Sequence, residues 1–136
     1  ELNIYGDGPL KKKIINYISK KKLKNINYCG FTRNAKGALC KNDCLMLLSK
    51  TEGLPNVILE AMSLRKPIIM SDIGLFSKDL IFQVKLTNAG DISKKIQDYL
   101  NNKNLQKALV GKAHKYYLNN FNYENMIKNY ERALKD

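Results

Sequence analysis

Two short apolar runs, separated by a turn and a helical segment, constrain the fold of this chain more than any other feature. The first run, Cys44–Leu48, is almost wholly apolar, and the second, Ile68–Met70, follows a break at Lys66-Pro67. Both have the length and composition of strands that are buried on both faces, as in parallel sheets. A Gly/Pro turn and a predicted helix from Asn56 to about Leu64 lie between them, so the sequence predicts a strand–helix–strand unit.

The same alternation continues on both sides of this unit. Further predicted strands cover Leu2–Tyr5, Ile26–Cys29 and Phe82–Leu86, and further predicted helices run from Pro9 to about Lys22, over 35–42, from an N-cap at Asp91 to Leu100, and over 104–118 and 123–135. We therefore expect an α/β fold with a doubly wound, mostly parallel, Rossmann-like sheet. One domain would cover residues 1–136, with the alternation in 1–90 and a helical tail in 91–136.

Four predicted loops follow the carboxyl ends of strands, where doubly wound folds bind their ligands. These loops are Gly6–Gly8, Gly30–Phe31, Ser49–Asn56 and Ser71–Gly74. Each of them alone resembles an ordinary βα turn, in which Gly is common for conformational reasons. Taken together, and with two glutamates eight positions apart, they favour a binding site. Amides at a helix N-terminus bind anions and carboxylates accept hydrogen bonds from hydroxyls, so a phosphorylated sugar would suit it.

Several of these segments also resemble a known family. Glu52–Pro55 followed by Glu60–Met62 and Lys66–Asp72 looks like the donor-binding signature of family 4 (group 1) glycosyltransferases, and Tyr5–Pro9 and Tyr28–Phe31 match its glycine-containing turns. The resemblance covers nearly the whole chain. It implies the C-terminal, nucleotide-sugar-binding domain of a two-domain GT-B enzyme, which is retaining, metal-independent and without a cofactor. No Asp-x-Asp pair occurs that would suggest a bound divalent ion.

The resemblance also implies a role for individual residues. Glu52 would be catalytic, contacting the sugar and stabilising an oxocarbenium-like transition state, although a role in positioning the donor alone stays open. Glu60 would hold the ribose. The diphosphate would lie against the segment made of Gly53, Leu54, Pro55, Asn56 and Val57. Contacts to the base and to other parts of the donor would come from Gly6, Gly8, Gly30, Phe31 and Gly74.

Complete enzymes of this family carry an N-terminal acceptor domain, and their basic diphosphate-binding pair would lie upstream of Glu1. We therefore expect a fragment that is inactive by itself. The whole enzyme would be a hexosyltransferase that uses a nucleoside-diphosphate sugar and a hydroxyl acceptor in cell-surface polysaccharide or glycolipid synthesis. We expect it in the cytoplasm, with peripheral attachment to the inner membrane face as a further expectation.

The formal net charge of +12 comes from 24 basic and 12 acidic residues, but only three of the basic residues are arginine. Base readout relies on arginine forks, and single strands need aromatic platforms, so no nucleic-acid partner is expected. The lysine clusters Lys11–Lys13 and Lys20–Lys22 form either a solvated face or a surface for anionic lipids. The alternatives are therefore a basic module that docks on nucleic acid or membrane, a nucleotide-sugar epimerase or hydrolase of the same fold, and a domain used only for assembly.

The three cysteines, Cys29, Cys40 and Cys44, form no even framework of disulfides and suggest a reducing compartment. We expect small buried thiols. A metal site is not expected, because the single histidine, His114, lies far along the chain.

Overall fold

Strands and helices alternate through the first part of the chain, and helices alone follow. The computed structural model describes residues 1–134, apart from the side chain at position 129. In chain order the elements are β1 (Leu2–Tyr5), α1 (Lys11–Lys20), β2 (Ile26–Gly30), α2 (Ala35–Cys40), β3 (Leu45–Leu47), α3 (Asn56–Ser63), β4 (Ile68–Ser71), β5 (Phe82–Val84), α4 (Ala89–Asn101), α5 (Lys103–Asn120) and α6 (Tyr123–Ala133). The predicted α/β class with parallel strands and a helical tail is confirmed. Residue 135 of the last predicted helix, and the final residue of the predicted tail, lie outside the described residues.

The chain divides into two compact units, Glu1–Ala35 and the part from Lys36 onward. The five strands accordingly pair as two parallel sheets, β1-β2 in the first unit and β3-β4-β5 in the second. In the first unit, Leu2 pairs with Ile26, and a shift of register between Ile4 and Tyr5 brings Tyr5 opposite Gly30. Helix α1 begins at Lys11, two residues later than the predicted start at Pro9. Pro9 lies in the turn that precedes the helix.

In the second unit, β4 is the central strand and is buried along its whole length. Leu45 pairs with Ile68 on one side, and Ser71 pairs with Val84 on the other. Helix α3 connects β3 to β4 and buries Ile58 and Met62 against the sheet. The predicted strand–helix–strand unit is therefore confirmed.

Strand β3 differs from the prediction that it is buried on both faces. Leu45 and Leu47 pack against the core, but Met46 between them is 36% exposed. The physical reason is that β3 is an edge strand of its three-stranded sheet, so fewer neighbours cover it than cover β4.

The second unit has two clusters of buried side chains. In one, Ala61 and Met62 of α3 pack with Ala113 of α5. In the other, Tyr99 of α4 packs with residues of β4, β5 and α5, and its ring stacks on Phe82 with centroids 4.3 Å apart. The tail helices α4 and α5 therefore take part in the core of the sheet.

Each tail helix begins with an asparagine cap. The side chains of Asn88, Asn102 and Asn122 accept hydrogen bonds from the backbone N–H three residues later. Asparagine is among the best N-cap residues, because its side-chain oxygen satisfies a backbone N–H that has no partner within the helix. The predicted N-cap at Asp91 is wrong, since Asp91 lies in the first turn and its N–H is the group that Asn88 caps.

Candidate functional site

The loop between β3 and α3 leads directly into the predicted anion site. Pro55 is the N-cap of α3, with extended backbone angles, and its side chain makes no cap hydrogen bond. Within the described part of the chain, the first N–H groups of α3 therefore have no side-chain acceptor, which is the arrangement that favours an anion at a helix N-terminus. Pro55 has no N–H, so the segment's amide donors are those of Gly53, Leu54, Asn56 and Val57.

Glu52 lies in this loop and is half-buried. The Ser49 hydroxyl donates a hydrogen bond of 2.5 Å to its Oε1. Ser49 is in turn held from the neighbouring strand, because the hydroxyl of Ser71 donates to the carbonyl oxygen of Ser49. The carboxylate is thus connected to the end of β4 through two serine side chains.

Glu60 lies on α3, one turn after the uncapped N-terminus. Its Oε2 is buried and has no hydrogen-bond partner among the described residues. An ionisable oxygen in this state is destabilising unless something binds it, and such atoms are rare in folded proteins. The residue faces an open groove of about 820 Å³, which also contacts Asn56 and Ser63 of the same helix.

Aromatic and polar side chains of the helical tail form the other side of this groove, hereafter the Glu60 groove. Its further lining residues are Lys36, Leu59, Tyr117, Asn120, Phe121, Asn122, Tyr123, Met126, Tyr130 and Ala133. The aromatic residues of the tail fall into two groups. Tyr116 and Tyr117 pack on Phe121, whereas Tyr123 and Tyr130 are more than half exposed. Helical spacing alone does not distinguish the lining residues from the packed ones.

Gly74 lies in the loop after β4, in the same unit as Glu52 and Glu60. Its φ of 79° is left-handed, so glycine is the residue best suited to this turn. The loop is further held by an ion pair of 3.2 Å between Asp72 and Lys78. A side chain added at Gly74 would meet no atom within 4 Å, so the space beside it is open.

The predicted residues of the first unit lie at the carboxyl ends of β1 and β2. The N–H of Gly6 donates to the carbonyl of Gly30 over 2.8 Å, and the hydroxyl of Tyr28 donates to the carbonyl of Gly6 over 2.7 Å. Gly30 has a left-handed φ of 73°, which ends β2. Phe31 follows it and is 69% exposed, so this aromatic ring is not part of a core.

Gly8 lies in a turn that a charged pair stabilises. Its N–H donates to Asp7 Oδ1 over 2.8 Å, and Asp7 Oδ2 pairs with Lys11 at 3.0 Å. The Lys11 ammonium, with the Gly8 N–H, lowers the pKa of Asp7. The structure therefore groups Gly6, Gly8, Gly30 and Phe31 in the first unit, while the residues from Glu52 to Gly74 belong to the second.

Two features of the site were missed from the sequence. The serine connection from Ser71 to Glu52 was not predicted, since serines at the ends of strands carry no signal of which acceptor they will reach. The Glu60 groove was missed because its two sides are about 60 positions apart in the chain. Among the described residues, no three His, Cys, Asp or Glu side chains are grouped as a metal site would need.

His114 and Cys44 take no part in this site. The Nδ1 of His114 lies 3.0 Å from the carbonyl oxygen of Met62, and because a carbonyl only accepts, Nδ1 carries the proton. Burial, with the Asp43 carboxylate as a smaller cause, raises the pKa of Cys44 to about 11. Cys29 and Cys40 are exposed, so the expectation of buried thiols is wrong for these two.

Comparison with known proteins gives one family. The family model described as glycosyl transferases group 1 matches residues 1–116. An uncharacterized glycosyltransferase, MJ1178, of Methanocaldococcus jannaschii is 28% identical over 98% of this chain and 40% of its own length. The poly(ribitol-phosphate) alpha-N-acetylglucosaminyltransferase of Staphylococcus aureus is 26% identical over 94% of this chain. The chain spans 27% of that enzyme's length, so both relatives are much longer than this chain.

A solved structure shares the fold. The crystal structure of Anabaena Alr3699/HepE in complex with UDP and glucose matches 98% of this chain and 40% of its own, with a TM-score of 0.82 and 16% identity. The likeness covers both units and the helical tail.

Proposed function

The chain belongs to the group 1 glycosyl transferases as a C-terminal domain of the GT-B fold, and we propose that it binds the donor substrate of such an enzyme. The complete enzyme would transfer a hexosyl unit from a nucleoside-diphosphate sugar to a hydroxyl acceptor, with retention at the anomeric carbon and without a metal ion or cofactor. The N-terminal domain of the complete enzyme would bind the acceptor. By itself this chain would bind the donor and not catalyse transfer.

The observation that carries this proposal is Glu60, which lines the open groove and whose buried Oε2 has no hydrogen-bond partner among the described residues. A carboxylate oxygen without a donor accepts hydrogen bonds readily from a ligand hydroxyl. Two adjacent hydroxyls, as on a ribose, fit a carboxylate well because each can donate to one of its oxygens. Asn56 and Ser63 line the same groove and add polar groups beside Glu60.

The N-terminus of α3 supplies the complementary site for the diphosphate. Its N-cap residue, Pro55, makes no side-chain cap bond, and the backbone N–H groups lie one turn before Glu60. The positive end of the helix dipole and these donors would stabilise the negative charge that develops on the leaving nucleoside diphosphate. Because backbone amides would stabilise the charge of the leaving group, a divalent ion would not be needed for that purpose.

Glu52 is proposed to face the sugar. Its carboxylate precedes the α3 N-terminus by four positions, and one of its oxygens is already held by Ser49. A negative charge near the anomeric carbon stabilises an oxocarbenium-like transition state, and the same carboxylate would accept hydrogen bonds from sugar hydroxyls.

The known relatives support a sugar nucleotide as the donor. The Anabaena protein was crystallised with UDP and glucose, and the Staphylococcus aureus relative is named for transfer of N-acetylglucosamine to poly(ribitol-phosphate). By analogy we propose a role for this chain in cell-surface polysaccharide or glycolipid synthesis.

The test is an NMR titration of the isotopically labelled chain with UDP, GDP and ADP at two salt concentrations. We expect saturable shifts of the backbone amides of Gly53–Glu60 with one of the nucleotides. Glu60→Ala should weaken that binding roughly tenfold, which corresponds to about 1.4 kcal/mol. Asp98→Ala is the matched control, because Asp98 is an exposed carboxylate on α4 outside the groove.

Two results would contradict the proposal. One is the absence of saturable shifts in the α3 amides with every nucleotide. The other is binding that falls steeply with salt and is unaffected by Glu60→Ala, since this is how a nonspecific basic surface behaves. Hydrolysis or epimerisation of an added nucleotide sugar would favour the other enzyme classes of this fold.

A second partner is proposed from the charge of the first unit, which holds eight basic and two acidic residues. Leu10 and Tyr17 beside these lysines are 62% and 59% exposed. Basic surfaces with exposed apolar groups attract anionic membranes, at about 1 kcal/mol per lysine. We propose a cytoplasmic enzyme that attaches peripherally to the inner membrane face; none of the described helices has the length and apolar character to span a bilayer.

Vesicle sedimentation tests this attachment. Binding to vesicles with 30% phosphatidylglycerol should exceed binding to neutral vesicles, and replacing Lys12, Lys13 and Lys20 by Gln should weaken it by roughly 100-fold. A triple replacement of Lys94, Lys95 and Lys107, in α4 and α5, is the control. Equal losses in the two variants would assign the binding to net charge alone.

A further inference from the structure

The buried hydroxyl of Ser71 connects β4 to the loop that follows β3 in the second unit. Ser71 is the last residue of β4 and is 1% exposed, and its hydroxyl bonds the carbonyl oxygen of Ser49 in the loop that follows β3. A carbonyl oxygen only accepts, so Ser71 must be the donor. A buried hydroxyl without a partner is destabilising, and this bond therefore also satisfies Ser71 itself.

The side chain of Ser49 makes the second connection. Its hydroxyl donates to Glu52 Oε1 over 2.5 Å, within the short range that is typical of hydroxyl-to-carboxylate bonds. Ser49 is thus held at its backbone by β4, while its side chain holds Glu52. The direction of each bond is fixed by the chemistry of its members: the Ser71 hydroxyl donates to the Ser49 carbonyl oxygen, and the Ser49 hydroxyl donates to the Glu52 carboxylate.

The surrounding loop offers Glu52 little other support. Lys50, Thr51, Gly53 and Leu54, the residues nearest to it in the chain, are all exposed. Exposed loop residues with few buried contacts are the ones that move most in folded proteins. The orientation of the Glu52 carboxylate therefore depends strongly on the two serine bonds.

We propose that Ser49 and Ser71 are positioning residues, which together hold the Glu52 carboxylate in the orientation that receives the donor sugar. This inference rests on the proposed function of Glu52. Ser49 occupies Oε1, so Oε2 is the oxygen directed to the sugar hydroxyls. The central strand of the sheet thereby sets the position of a carboxylate whose neighbours in the loop are exposed.

The first measurement needs no ligand. Side-chain NMR relaxation reports the order of the Glu52 side chain in the wild type and in Ser49→Ala, Ser71→Ala, Ser49→Thr and Ser93→Ala. We expect loss of order in both alanine variants, and retention in Ser49→Thr, which keeps the hydroxyl. Ser93→Ala is the control, since Ser93 is exposed on α4. If Ser71→Ala does not fold, Ser49→Ala decides the result, because its position is only half-buried.

The second measurement compares the affinities for UDP and UDP-glucose by calorimetry. Ser49→Ala should lower the affinity for UDP-glucose roughly tenfold, about 1.4 kcal/mol. The affinity for UDP should change by less than about twofold, since UDP lacks the donor sugar that Glu52 would contact. If Ser49 had only a structural role, Ser49→Ala would lower the affinities for both ligands equally. Ser49→Thr should restore the preference for UDP-glucose.

The outcomes separate this inference from the proposed function. Unchanged order of Glu52 in both alanine variants overturns the positioning role, as does an equal loss of affinity for the two ligands. Failure of the wild type to bind UDP, GDP and ADP alike overturns the donor function, and the ligand-free measurement then still decides whether the serines orient Glu52.

Discussion

The ammonium group of Lys66 donates a hydrogen bond of 2.7 Å to the carbonyl oxygen of Asn42. A longer bond of 3.4 Å reaches the carbonyl of Cys40, the last residue of α2. The last carbonyls of a helix have no partner within it, so a cation at that end satisfies them and interacts favourably with the helix dipole. Lys66 thus joins the end of α2 to the segment that enters β4.

Replacing Lys66 by Met should destabilise the fold. Met keeps most of the apolar length but leaves the two carbonyls without their charged donor, so we expect a loss of about 1.5 kcal/mol in the free energy of unfolding. Urea denaturation measures it, with Lys95→Met on the exposed surface of α4 as the control. Equal stabilities of the two variants would contradict a capping role.

Replacing Arg65 by Gly should stabilise the fold. Arg65 has a φ of 53°, and the bonds from Arg65 N–H to Met62 O and from Lys66 N–H to Ala61 O form a Schellman motif at the end of α3. A left-handed conformation is unfavourable for a residue with a Cβ, so we expect a gain of about 1 kcal/mol in thermal or urea unfolding. Arg65→Ala is the control and should give no such gain.

Stability should fall between about pH 9 and pH 11. Burial raises the pKa of Cys44 from 9.0 to about 11, so the native state holds the thiol proton after the unfolded state has lost it. Below pH 9 the Cys44 thiol makes its full contribution to the free energy of unfolding. Above pH 9 this contribution decreases, by about 1 kcal/mol between pH 9 and pH 10. Urea midpoints at pH 8, 9 and 10 should show a flatter decline in Cys44→Ala. Burial also raises the pKa of Tyr99 to about 12, so part of the decline should persist.

Replacing Phe31 by Ala should lower the affinity for nucleotide and leave the stability of the fold nearly unchanged. Phe31→Ala should leave the free energy of unfolding within about 0.5 kcal/mol, because the ring is 69% exposed. If Phe31 stacks on the base, nucleotide affinity should fall about tenfold.

Phe82→Ala is the contrasting variant, because its ring stacks on the buried Tyr99. It should lower the free energy of unfolding by about 3 kcal/mol. Calorimetry measures the nucleotide affinity of each variant, and urea denaturation measures its free energy of unfolding. A large loss of stability in Phe31→Ala would show that this residue is part of the core.

The order and type of the elements followed from local patterns. Apolar runs such as Ile68–Met70 predicted β4, and the Lys66-Pro67 break predicted the end of α3. Local patterns did not give the caps, because asparagine at Asn88 and aspartate at Asp91 are both good N-cap residues and only the backbone angles distinguish them. Likewise, the exposure of Met46 depended on the position of β3 at a sheet edge, which composition does not encode.

By itself the sequence determined the α/β class, the strand–loop–helix unit and the two glutamates on it, since these depend on hydrophobic periodicity and on spacing within one segment. Only the tertiary structure decided which groups meet Glu52 and Glu60. Ser71 reaches the Ser49 carbonyl because parallel pairing places β4 beside β3, and Glu60 faces aromatic rings because α5 packs on α3. Such contacts join residues that are 20 to 60 positions apart, and they form when apolar burial brings the elements together.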